Sequence, residues 1–197
     1  MTINEKIIYD SLVEEFKGDV RSFLPLTEMS RNEDNNKDFV ISDFEMFNFD
    51  CFNAMEYGVN PQPKGKEKEK TPDGLHYRNE TLYFIEFKEG QTNKLEIRMK
   101  IHEALLGIYN YAVCSKGIIS REDFFNLRIS YSVIKKGDRK SLSNPFYKRI
   151  YITTNFFNLK SMNGFLLQKT HVFVDNPDIE RFLHTVTEGK CAPLHFA

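Results

Sequence analysis

Apolar and polar positions along the chain follow two periods, and these lay out its elements. Ile7, Ile8, Leu12, Val13 and Phe16 fall at helical spacing behind Thr2-x-x-Glu5, a capping-box pattern, and Gly18 can end this first helix. Residues 29–38 are polar and Asn-rich and read as a loop. Phe39-Val40-Ile41 follows, and then Ser42-x-x-Glu45, a second capping box that predicts a helix over Asp43–Tyr57 ended by Gly58. Phe47, Phe49 and Cys51 also alternate, so a strand fits the same stretch. Pro61, Pro63 and Pro72 flank a Lys/Glu run that cannot pack a core, which makes residues 58–72 an exposed loop.

Beyond that break the pattern sharpens. Gly74–Arg78 and Leu82–Lys88 read as two strands joined by the turn Arg78-Asn79-Glu80-Thr81. A long helix is predicted from Asn93 to Cys114, with Asn93 as its cap. Leu95, Met99, His102, Leu106 and Tyr109 form one apolar stripe, broadened by Ile101, Leu105, Ile108 and Ala112, so the helix is expected to be deeply packed and His102 to lie in the core. Ser120-x-x-Asp123 caps a short helical turn. Arg128–Ile134, Arg149–Thr153 and His171–Val174 read as strands. Asn176-Pro177 opens a last helix with Ile179, Phe182, Leu183 and Val186 on its apolar face and Gly189 at its end. The order of elements predicts an α/β fold, a mixed central sheet flanked by helices.

Composition narrows the class. With 197 residues, 41% of them hydrophobic, and a net charge of −1, the chain can bury a core as one domain spanning 1–197. Its core is expected at about 39–135, with residues 145–197 extending the sheet and adding the C-terminal helix. The balance of 27 basic and 28 acidic residues excludes a generally basic polyanion binder, so a nucleic-acid partner would meet a local basic patch. Cys51, Cys114 and Cys191 are too few and too scattered for a disulfide framework or a zinc site. The first residues lack the pattern of a signal peptide and no apolar run approaches a membrane span, which predicts a cytoplasmic protein without a membrane partner.

One strand carries an anomaly. Leu82, Phe84, Glu86 and Lys88 share one face of the Leu82–Lys88 strand and Tyr83, Ile85 and Phe87 the other. Both faces begin apolar, as on a central strand covered on both sides, and then two charges appear on one of them. Buried charge is costly unless it is paired or bound to metal. If Asn79 and Glu80 form the centre of the turn, Asp73 stands directly opposite Glu86, with Cβ atoms about 4.5–5.5 Å apart. Two carboxylates so placed repel, and a divalent cation between them reverses the sign. A slip of one residue would send Asp73 to the other face. The bland alternative is a Glu86–Lys88 ion pair at a strand end with Asp73 capping a turn.

Pro72-Asp73, twelve intervening residues, Glu86-x-Lys88 at the end of an apolar strand and a long following helix together resemble the PD-(D/E)xK nuclease superfamily, over roughly residues 72–115. The resemblance implies a restriction-endonuclease-like core and a metal-dependent nuclease acting on DNA in preference to RNA. It implies Mg²⁺ or Mn²⁺ held by Asp73, Glu86 and the carbonyl of Phe87, and Lys88 orienting the attacking water. Many members add an acid from the helix before the hairpin. The candidates here are Glu45, which also fits its capping box, Asp50, Glu14 and Glu15. Phe39–Ile41 could supply the first core strand, with Asn4–Phe16 as the first helix. Gln91, Lys94 and Arg98, just past the lysine, are candidates for phosphate contacts. The alternative is a catalytically inactive protein of the same fold that binds nucleic acid or a protein partner, as an immunity, inhibitor or phage-defence accessory protein.

Overall fold

The computed structural model describes residues 3–32, 36–52, 56–57, 70–90, 93–137, 144–154, 157–165 and 167–197. The chain runs through α1 (Asn4–Glu15), β1 (Phe23–Pro25), the single turn α2 (Leu26–Met29), β2 (Val40–Ile41) and β3 (Glu45–Asn48). The hairpin β4 (Gly74–Arg78) and β5 (Thr81–Lys88) follows, then α3 (Lys94–Tyr109), α4 (Arg121–Phe125), β6 (Ile129–Lys135), α5 (Pro145–Thr154), β7 (Lys169–Phe173), α6 (Asn176–Thr187) and β8 (His195–Phe196).

Six strands form one mixed sheet in the order β1-β3-β4-β5-β6-β7, antiparallel from β1 to β5 and parallel from β5 to β7. β5 is therefore interior, and its alternating side chains feed two cores. Leu82 and Phe84 pack with Ile8 and Leu12 of α1 and with Ile97 and Ile101 of α3. Ile85 and Phe87 pack on the other face with Leu26, Met29, Ile179 and Leu183. β2 and β8 pair as a small second sheet beside that second core. Burying each large apolar side chain contributes roughly 1.5–3 kcal/mol, so both faces of β5 hold it in place before any charged group is considered. β7 extends the sheet beyond β6.

Local signals explain most of the elements. The Asn93 side chain accepts the Leu95 amide at 2.9 Å and caps α3, which ends in one π-helical turn, Asn110–Ser115. Ser120 and Asp123 form the expected capping box of α4. The cap of α6 is Asp175 rather than Asn176, with Pro177 in the first turn and Gly189 beyond a left-handed Glu188.

Several expectations are corrected. Asp43–Tyr57 holds no α-helix in its described part. β3 is locked between β1 and β4, and the Asn48 side chain accepts the Asp50 amide and turns the chain into a 3₁₀ turn, Phe49–Cys51. Ser42 caps no helix there and donates instead to the Cys191 carbonyl at 2.6 Å. Arg149–Thr153 lies within α5 rather than in a strand, because the Asn144 side chain accepts the Phe146 amide just ahead of Pro145. Thr2, Gly58 and most of the 58–72 loop lie outside the described residues. Glu5 accepts the Arg128 amide at 2.6 Å, tying α1 to the start of β6. On α3 the packed face is Ile97, Ile101, Ala104, Leu105 and Ile108, whereas Leu95, Met99, His102 and Leu106 point outward. The three cysteines are free thiols.

Candidate functional site

The register of the hairpin decides what meets at its open end. Gly74 pairs with Ile85 and Arg78 with Thr81, and both turn residues, Asn79 and Glu80, have positive φ as a two-residue hairpin turn requires. Asp73 thus stands opposite Glu86, one rung past the last ladder pair. Its Oδ2 accepts the Phe87 amide at 2.6 Å, so the side chain continues the pairing that the backbone has left. On the other side, the Asp73 carbonyl accepts the Phe49 amide at 3.0 Å, fastening the same residue to the end of β3.

Glu86 is fully buried. Lys88 Nζ lies 2.8 Å from Glu86 Oε1. A second ammonium, that of Lys100 on α3, donates to both Glu86 oxygens at 2.8 and 2.9 Å and lies 3.6 Å from Asp73 Oδ1. The hairpin and the second turn of α3 together build a quartet of two acids and two lysines. Burial pushes the Asp73 carboxyl up to about 8, the Glu86 charge adds to that, and Lys100, the Phe87 amide and Lys88 pull the other way. Burial also works against the charge of Lys100, but the two acids outweigh it and raise its pKa. The parallel neighbour of Lys88 is Lys135, whose ammonium donates to the Gly90 carbonyl and whose pKa is lowered by burial and by Lys88.

Asp73 and Lys88 of the quartet line a cleft of about 600 Å³, together with Phe87, Arg21, Arg31 and Asp50. Among the described lining residues, which also include Glu28 and Glu89, acids outnumber bases by one. Asp50 is held by the Thr71 hydroxyl at 2.6 Å. Of the upstream acids considered, Asp50 alone is among the cleft residues. Glu14 pairs with Lys17, Glu15 with Lys116, and Glu45 is exposed at the start of β3.

The structure brings Asp73, Glu86, Phe87 and Lys88 together. The N–H and C=O of one strand residue point to the same side, so the Phe87 carbonyl faces the Asp73 side of β5. Lys94 is exposed and Arg98 is engaged with the Asn158 carbonyl at 2.6 Å and Ser161 Oγ at 3.1 Å. Neither lines the cleft, and Gln91 lies outside the described residues. The pattern missed Lys100. It flanks the Ile97/Ile101/Ala104 face, and centring the packed face on Leu95 and Leu106 hid it. Arg21 and Arg31, on short connections far off in sequence, carried no pattern at all.

No group of three or more His, Cys, Asp or Glu side chains is arranged to hold a metal ion among the described residues. The oxygen donors that are present, two carboxylates and a peptide carbonyl, are those a hard divalent cation takes. Among the described residues no helix is long and apolar enough to cross a membrane. No family model, curated protein or solved structure matches the chain.

Proposed function

We propose that the protein is a metal-dependent nuclease on a restriction-endonuclease-like core, hydrolysing phosphodiester bonds of nucleic acid, with DNA the favoured polymer. The observation that carries this reading is the opposition of Asp73 to Glu86 at the end of an interior strand, with Lys88 beside them on the rim of a cleft. Two opposed carboxylates alone are destabilising, and Lys88 and Lys100 offset them here, which gathers two acids and two cations at one end of the strand.

The donor set fits Mg²⁺ or Mn²⁺. Asp73, Glu86 and the Phe87 carbonyl would hold the ion, and Asp50 is a further acid among the cleft residues. When bound, such a cation acidifies a water and neutralises charge developing on the phosphate. The chain's own residues supply the rest. Lys88, partly exposed on the cleft side, orients the attacking water and places a positive charge beside the phosphate oxygens. Arg21 and Arg31 offer charge to flanking phosphates. A divalent cation held there would add positive charge to a lining in which acids and bases are nearly balanced.

The test is a panel of plasmid, linear duplex, single-stranded DNA and structured RNA, incubated with Mg²⁺ or Mn²⁺ and with EDTA. Metal-dependent cutting of any of them supports the reading and identifies the polymer. One observation favours a second reading: Glu86 is already satisfied by two ammonium groups. An inactive binding module for nucleic acid or a protein partner would keep such a quartet as it stands, and would cut nothing in the panel.

A further inference from the structure

Lys100 occupies the place where the two acids converge. Its ammonium is hydrogen-bonded to both oxygens of Glu86 and lies 3.6 Å from Asp73 Oδ1, while Lys88 makes an ion pair with Glu86 at 2.8 Å. Its side chain is only 12% exposed. The neighbouring Ile97 and Ile101 are fully buried, so the helix that delivers Lys100 is fixed and only the flexible end of its side chain can move. A divalent cation sits about 2.0–2.6 Å from its carboxylate ligands. It cannot share these oxygens with an ammonium that already lies 2.8 Å from them without strong like-charge repulsion.

Resting on the nuclease reading, we propose that Lys100 is the built-in counter-cation of the Asp73–Glu86 pair and that a divalent cation binds by displacing its ammonium. The lysine holds the acids together in the metal-free protein, where an uncompensated buried pair would push the hairpin end apart. The same contact sets the affinity for the ion, because part of each cation's binding energy goes into evicting the lysine. Lys100 is in this sense a positioning residue and a brake on cation binding. The device keeps the site closed until enough divalent cation is present.

The experiment measures Mn²⁺ affinity of the full chain by calorimetry at fixed pH and salt, for wild type, Lys100→Met and Lys100→Arg, with thermal melts of each in EDTA. Lys100→Met is expected to bind Mn²⁺ about tenfold more tightly or better, to melt lower than wild type in EDTA and to gain more from added Mn²⁺. Lys100→Arg keeps the charge and is expected to bind no more tightly than wild type. If Lys100→Met does not fold in EDTA, Lys100→Gln, neutral but still a donor to Glu86, is read in its place with the same expected direction. Mn²⁺ bound by wild type and bound equally or more weakly by the neutral variants overturns the counter-cation role and leaves the nuclease reading standing. Mn²⁺ bound by none of the proteins overturns both.

Discussion

Asp73 Oδ2 and the Phe87 amide, 2.6 Å apart, form the last rung of the β4–β5 ladder, made by a side chain where the backbone partner has run out. The contact gives Asp73 two roles that substitution can separate. Asp73→Ala leaves the Phe87 N–H without its acceptor and should cost about 1–3 kcal/mol in urea unfolding. Asp73→Asn keeps an acceptor and removes a charge that the folded state resists, as the raised pKa of this carboxyl implies. It should be at least as stable as wild type in EDTA and gain nothing from Mn²⁺. Equal stability of the Ala and Asn variants would remove the structural role.

His76 gives a pH signature. Burial lowers its pKa to about 4, with Lys190 and Arg78 adding to the effect and the Val186 backbone opposing it, and the rings of Tyr9 and Phe44 pack against it. The folded protein holds this imidazole neutral, while the unfolded chain protonates it near 6.5. Its contribution is complete above pH 6.5 and is lost as pH falls from 6.5 towards 4, by on the order of 2–3 kcal/mol. Denaturant unfolding at pH 7 and pH 4 should show wild type losing that much more than His76→Phe. Parallel losses in the two proteins would count against a buried neutral histidine.

Gly74 follows Asp73 for a packing reason. A Cβ there would lie 2.7 Å from Met29 Sδ and 2.9 Å from Met46 Sδ. Gly74→Ala should therefore cost about 1–3 kcal/mol. Adding Met29→Ala makes room, so the double variant should lose less than the sum of the single changes. Simple additivity in the same unfolding assay would show that the methionines do not confine this backbone.

The hairpin was legible because strand alternation and a two-residue turn leave few registers, and the Asp73–Glu86 opposition follows from counting outward from Asn79 and Glu80. Helix faces were less legible. Two apolar stripes share α3, and the sequence pattern alone does not say which one meets the sheet. Choosing the Leu95–Leu106 stripe placed His102 inside and left Lys100 unnoticed. Within Asp43–Tyr57 the capping-box letters competed with alternation, and pairing with β1 and β4 makes Glu45–Asn48 a strand before Phe49–Cys51 turns. Asn144-Pro145 carries the same cap-then-proline signal that marks the last helix, while the β-branched Ile150, Ile152 and Thr153 favour a strand over the same stretch. Arg21, Arg31 and Asp50 reach one cleft only through the order of strands across the sheet, which local sequence does not encode.

Cleavage by paired variants tests the nuclease reading most directly. On whichever polymer the wild type cuts with Mg²⁺, Lys88→Met and Glu86→Gln should each lower the rate by about a hundredfold or more, while circular dichroism shows the wild-type fold. EDTA should abolish cutting by all three. A wild type that cuts none of the polymers, or a Lys88→Met variant that cuts as fast as wild type, would contradict the assignment of the Asp73–Glu86–Lys88 end of the sheet as a catalytic centre.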